Sequence, residues 1–129
     1  MSTITKFEEL GVWILARLQT QDFKIIEGGS LSKDFALRNQ MNRSSGSVMD
    51  CIAEGFERSG NPEFRHFLVI AKGSNGEYRS QLYRALDRSH ITLHKFDELV
   101  KKNIVLGNQL MGFINYLSKS DFKGQSFKK

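Results

Sequence analysis

"AKGSNGEYRS", residues 71–80, places Gly73, Ser74, Asn75 and Gly76 in succession, between the strongly helical flanks "EFRHFLVI" and "QLYRALDR". Taken alone, the stretch reads as a turn or as a glycine-rich phosphate loop. The flanks decide otherwise. Stepping about 100° per residue, Phe64, Phe67, Leu68, Ala71, Tyr78, Leu82, Ala85 and Leu86 stay on one broad stripe that crosses the glycines without a phase slip. A loop has no reason to keep that register, so the spacing predicts one continuous helix. A phosphate loop would need G-x-x-x-x-G-K-[ST] after a strand, and this stretch has neither the lysine-serine ending nor a strand pattern before it.

That helix is expected over about residues 62–89, and three others surround it, over about 5–27, 32–58 and 93–119. In the first, Phe7, Leu10, Ile14, Leu18 and Ile25 fall at near-helical spacing with Trp13 beside them, and Gly28 or Gly29 can close it in the left-handed conformation. In the second, Leu37, Met41, Ser44, Val48, Ile52 and Gly55 form one stripe, and Arg43, Ser47, Asp50 and Glu54 form a polar flank. Serine and glycine within the apolar stripe allow a neighbouring helix to come close, at a cost in helix propensity of up to about 1 kcal/mol for the glycine. "RSGNPE" is the clearest boundary: Gly60 can close the second helix, Asn61 can cap the third, and Pro62 fits its first turn. Thr92 can cap the fourth helix, with Leu93, Phe96, Val100, Leu110, Phe113 and Leu117 facing inward. Residues 120–129 read as a polar, basic tail. Short connections between four helices predict an all-α, antiparallel up-down four-helix bundle in a single domain.

The chain has 129 residues with 40% hydrophobic content, ten phenylalanines and one proline, which suits a packed helical core. Its formal charge of +5 favours acidic partners such as nucleic acid. Cys51 is the only cysteine, so a reducing compartment is the simple reading. No apolar run is long enough to span a bilayer and "MSTITKFEELG" lacks a signal-peptide pattern, so a cytoplasmic protein without membrane contact is expected.

The outer face of the third helix is unusual. Val69, Gly73, Gly76 and Ser80 lie away from the inner stripe, where a monomer would normally carry charge, and Ile70 adds apolar surface. Small residues permit close backbone approach, so this face, with Glu77, is expected to pack against another copy of the chain. Asn75 falls on the inner stripe and needs hydrogen-bond partners there.

The segment "LRNQMNRSSGSVMDCIAEGFERSGNPEFRHFLVIAKGSNGEYRSQL" closely resembles the central signature of bacterial four-helix-bundle proteins encoded in intervening sequences of large-subunit ribosomal RNA. "FEELGVW" resembles that family's opening, and "IAEG", "FRHFL" and "IAKGSNGE" are the most specific pieces. The resemblance implies an antiparallel bundle that assembles as a homopentamer, without a settled activity. It also implies a distant relation to accessory proteins of diversity-generating retroelements, in which a basic pentamer engages nucleic acid and a reverse transcriptase. The matching polar positions are Gln40, Arg43, Glu54, Arg58, Arg65, Ser74, Glu77 and Gln81, with Gly55 and Gly73. Met49 and Cys51 stand where the family often has proline and asparagine, so a straighter second helix is expected.

No catalytic set stands out, and a non-enzymatic protein without a cofactor is expected. His90, His94 and Asp97 have metal-ligand spacing only on paper, because the boundary at Thr92 separates the histidines. Glu54 and Arg58 are spaced for a helical ion pair. With Glu77, Glu54 is open to two readings: a carboxylate site at a subunit junction, or structural pairing. Arg65, Lys72 and Arg79 recur every seven residues beside the inner face of the third helix, and Arg43, Arg84, Arg88, Lys123, Lys128 and Lys129 add positive charge. These can contact phosphates with little base specificity, as in an RNA- or DNA-binding module. They can equally form a solvated face on a scaffold that recruits a partner protein.

Overall fold

The structure, a computed structural model, describes residues 3–58 and 60–119. They form four α-helices and two short 3-10 turns: α1 (Gly11–Ile26), α2 (Phe35–Glu57), α3 (Asn61–Asp87) and α4 (Leu93–Lys119). No strand occurs among the described residues, and none of the described helices is long and apolar enough to cross a membrane. α3 runs unbroken through Gly73–Gly76. α2 is equally regular through Met49 and Cys51.

The ends of the helices differ from the sequence pattern in instructive ways. Before α1 the chain makes a 3-10 turn at Phe7–Glu9, and Leu10 is extended (φ −75°, ψ 129°). The break turns Leu10 into the core and sets Phe7 edge-on to Trp13 at 5.2 Å. α1 closes without a left-handed glycine: Glu27 stays right-handed, and Gly29 sits at φ −85°. Among the described residues the only glycine with positive φ is Gly60. It stands at the N-cap of α3 with φ 97°, where a side chain would be strained, rather than closing α2. Asn61 is the first residue of α3. Its Nδ2 donates to the Leu117 carbonyl at 2.8 Å, joining the start of α3 to the end of α4. Thr92 does cap α4, its Oγ1 accepting the Lys95 N–H at 3.1 Å.

α2 packs on α3, α3 on α4, and α1 on both α2 and α4, which leaves α1 and α3 diagonal. Two apolar clusters fill the interior. One takes Val12 and Ala16, Val48 to Phe56, Phe64 to Ala71, and Leu106 to Leu117. The other takes Phe23 and Ile26, Leu37 and Met41, Tyr78 to Ala85, and Phe96 and Leu99. α1 and α3 therefore enter the first cluster with their N-terminal halves, and α2 and α4 with their C-terminal halves.

Between the clusters lies a buried polar layer. Gln19 Nε2 donates to Asn75 Oδ1 at 3.0 Å, and Asn103 Nδ2 donates to Gln19 Oε1 at 2.8 Å and to Asn75 Oδ1 at 3.0 Å. Asn75 Nδ2 donates to the Asn103 carbonyl at 3.1 Å. The partners Asn75 requires come from α1 and α4, so the layer matches three helices in register. Gly107 gives it room: a Cβ there would lie 3.3 Å from Asn75 Nδ2.

Gly55 sets the closest contact between α2 and α3. A Cβ on it would lie 2.6 Å from Phe67 Cβ and 3.1 Å from Phe64 Cδ1. The second helix's predicted stripe is buried throughout. The first helix's is not: Ile14, Leu18 and Ile25 are exposed, while Val12, Ala16, Gln19, Phe23 and Ile26 face the core. Leu93, expected inside, is also exposed.

Candidate functional site

The flank of α2 that carries Gln40, Arg43, Ser44 and Ser47 faces the flank of α3 that carries Ser74, Glu77, Ser80, Gln81 and Arg84. Together they line an open groove of about 550 Å³. Among the described residues, neither an aromatic nor an aliphatic side chain lines it. Sequence position explains the convergence. Residues 40, 43, 44 and 47 repeat at the helical three-and-four spacing beside α2's buried stripe, and 74, 77, 81 and 84 do the same on α3.

Its polar groups are partly satisfied across the helices. Ser44 Oγ donates to Gln81 Oε1 at 2.6 Å, and Arg84 Nη1 donates to Gln40 Oε1 at 2.7 Å. The Ser47 and Ser74 hydroxyls share a hydrogen bond of 2.9 Å, and Ser47 Oγ lies 3.6 Å from Cys51 Sγ. Gln81 is only 4% exposed; its carbonyl oxygen is used by Ser44, and its NH₂ makes no hydrogen bond among the described residues. Arg43 has no carboxylate within ion-pair distance among those residues either.

The remaining sequence-selected residues divide. Arg79 Nη1 donates to Asn103 Oδ1 at 3.4 Å, on the α4 side of α3, whereas Arg84 reaches α2. The Arg65, Lys72 and Arg79 stripe thus lies on the flank of α3 away from Arg84, which shares the groove with Arg43 of α2. Arg65 is exposed and Lys72 half-buried. Arg88 is taken up elsewhere, 2.8 Å from Asp34, which also lies 2.9 Å from His90 Nε2. The Arg88 hydrogen bond first, and that of His90 second, lower the Asp34 pKa to about 2. His90 Nδ1 in turn meets Ser30 Oγ at 2.8 Å, so this histidine joins the 3-10 turn before α2 to the end of α3. His94 is exposed on α4. Arg58 Nη2 lies 2.7 Å from Glu54 and its Nη1 3.4 Å from Glu63, with the guanidinium over the Phe67 ring at 5.1 Å. Its pKa is raised, chiefly by the Glu54 hydrogen bond. On α3's outer face Val69, Ile70, Gly73, Glu77 and Ser80 are exposed and Gly76 half-buried, with nothing within 4 Å of where a Cβ would stand on either glycine. Lys123, Lys128 and Lys129 lie outside the described residues.

Sequence reasoning missed Ser80, Gln81 and Arg84 as parts of one groove with α2, because a helical wheel treats each helix separately. It also missed Gln19 and Asn103 as partners of Asn75. The available signal was their polarity on otherwise apolar stripes.

The architecture defines a four-helix bundle whose α2 and α3 carry a shared polar, arginine-bearing groove. Comparison with known families makes the assignment specific: the chain belongs to the 23S rRNA-intervening sequence protein family, whose model matches residues 8–112. A search of curated proteins finds no match.

Proposed function

We propose that this protein is a non-enzymatic, ring-forming module that binds the phosphate backbone of nucleic acid. In this reading the helices run alternately up and down, in keeping with the way they alternate between the two core clusters. Copies then associate through two different faces. The observation that carries the assembly is a pair of exposed apolar surfaces on diagonal helices. Ile14, Leu18 and Ile25 project from α1, and Val69 and Ile70 lie beside the open glycines of α3. Leu18 also borders a groove of about 240 Å³ with Leu15, Val105 and Leu106. Unlike surfaces on opposite sides favour head-to-tail contacts, which close into a ring when the rotation between copies divides a full turn. The family resemblance suggests five subunits. Five copies would pool five times the +5 formal charge of one chain.

Arg65 and Lys72 are among the cations open to phosphate, because neither has an ion-pair partner among the described residues. Titrating labelled RNA, single-stranded DNA and duplex DNA across a salt series tests the reading. Binding should weaken steeply with salt and vary little with sequence. Replacing Arg65 and Lys72 with glutamine should flatten the slope by about 0.9 for each phosphate that is no longer neutralised. Absence of binding at low salt would remove the nucleic-acid role.

One observation favours a second reading, a scaffold that recruits a partner protein such as a reverse transcriptase. Arg58 and Arg88 already hold carboxylates within the chain, which leaves less charge for a polyanion. Partner capture that survives nuclease treatment would support the scaffold.

A further inference from the structure

The groove between α2 and α3 has a chemistry of its own. Two guanidiniums, Arg43 and Arg84, enter it from different helices, and Arg84 uses one N–H on Gln40. The Gln81 NH₂ is a further donor that makes no hydrogen bond among the described residues. That amide nitrogen opens onto the groove, where it can donate to a ligand acceptor or to water. Glu77 is the one carboxylate on the lining among the described residues and supplies acceptors. The about 550 Å³ volume lies within the range of small-molecule sites.

Donor-rich walls with two guanidiniums match a phosphate, since planar guanidiniums bind such oxyanions through paired hydrogen bonds. A bare phosphate would be repelled by Glu77, so the ligand must also present hydroxyl donors. Among the described residues the lining includes no aromatic or aliphatic side chain on which a nucleobase could stack. We infer that the α2–α3 groove is a binding site for a phosphorylated sugar, with the phosphate held by Arg43, Arg84 and the Gln81 amide and a sugar hydroxyl donated to Glu77. A free sugar phosphate and the ribose-phosphate backbone of RNA both carry this chemistry. In RNA, the 2′-hydroxyl would be the group that Glu77 accepts, which separates RNA from DNA. The inference deepens the anion-binding reading but needs neither a ring nor the Arg65 and Lys72 stripe.

The test follows side-chain amide and guanidinium resonances in the full chain by NMR. Ribose 5-phosphate, inorganic phosphate, and a short oligoribonucleotide with its deoxy counterpart are the probes. Ribose 5-phosphate should shift the Gln81 NH₂ signals and bind at least about tenfold more tightly than inorganic phosphate, in line with one added charge-assisted hydrogen bond. Arg43→Gln should weaken it at least about tenfold by removing a charged hydrogen bond. Glu77→Gln should remove the preference over inorganic phosphate while keeping phosphate binding. Both side chains are exposed or half-buried, so thermal melting is expected to match the parent for each variant. If only the oligoribonucleotide moves Gln81, and the deoxy strand does not, RNA is the source of the sugar phosphate and the inference stands. Oligonucleotide binding that leaves Gln81 unmoved and depends on Arg65 and Lys72 overturns the groove while preserving the nucleic-acid reading. Silence of the Gln81 signals with every probe to millimolar concentration also overturns it.

Discussion

Replacing Gly55 with alanine probes the contact that brings α2 and α3 together. The added Cβ would stand 2.6 Å from Phe67 Cβ and 3.4 Å from the Phe64 carbonyl oxygen. Carbon atoms prefer about 3.5–4.0 Å, so the two helices must part by about 1 Å. Phe67 Cβ is fixed to the α3 backbone and cannot swing aside as a side-chain tip could. Overpacking of this kind costs about 1–3 kcal/mol, and the rigid neighbour argues for the upper part of that range. Alanine's better helix propensity returns about 1 kcal/mol. A net loss of about 1–2 kcal/mol follows. Gly46, on the same helix, has nothing within 4 Å of its would-be Cβ. Gly46→Ala should therefore gain about 1 kcal/mol from propensity alone. The two variants should differ by about 2–3 kcal/mol, which is on the order of 10 °C in melting temperature for a domain of this size. Urea and thermal unfolding at one fixed protein concentration measure the gap, since self-association would otherwise shift both midpoints. A Gly55→Ala protein as stable as the Gly46→Ala protein would refute the close approach.

Other perturbations reach different parts of the molecule. Asn103→Leu should destabilise by about 1–3 kcal/mol, because it strands the Gln19 carbonyl oxygen in the core and removes one of the two donors to Asn75 Oδ1; an unchanged urea midpoint would show that the layer is not held as described. Acid should loosen the junction of α2 with the end of α3. The Asp34 pKa is lowered from the ordinary value of 3.8 to about 2, so its stabilising effect is present above the unfolded value and is lost as pH falls from about 4 to about 2. Asp34→Asn should remove that part of the acid dependence, and an unaltered profile in that window would count against the Arg88 and His90 contacts. Leu18→Glu, at an exposed site, should leave the helical circular dichroism intact while dispersing the assembly; particles that keep the parent mass would exclude α1 from the contact.

The sequence carried much of the fold because its apolar pattern is nearly unambiguous where one stripe is present. The glycines of α3 preserve phase, and Ser44 and Gly55 lie on α2's inner stripe, so continuity and close approach are both readable. α1 is not, since it bears two apolar stripes. Helical periodicity identifies both Val12, Ala16 and Phe23 and Ile14, Leu18 and Ile25, but cannot say which meets the core when the second is also apolar. Gln19 hides the true face, because a polar residue lowers a stripe's apparent hydrophobicity until its partners Asn75 and Asn103 are known. Gly60 falls within the right connection but on the other helix, since a left-handed residue serves equally to end one helix or to start the next. The groove requires knowing which flank of α2 meets α3. Single-helix wheels do not contain that information, and so Arg84 groups in sequence with the other cations rather than with Gln40.

The assembly is tested most directly by sedimentation equilibrium of the untagged chain at tens of micromolar in moderate salt. The proposed ring predicts a single species of five times the 14.8 kDa chain mass. A particle of 14.8 kDa throughout the concentration range would contradict it, leaving the apolar faces of α1 and α3 without the neighbour assigned to them.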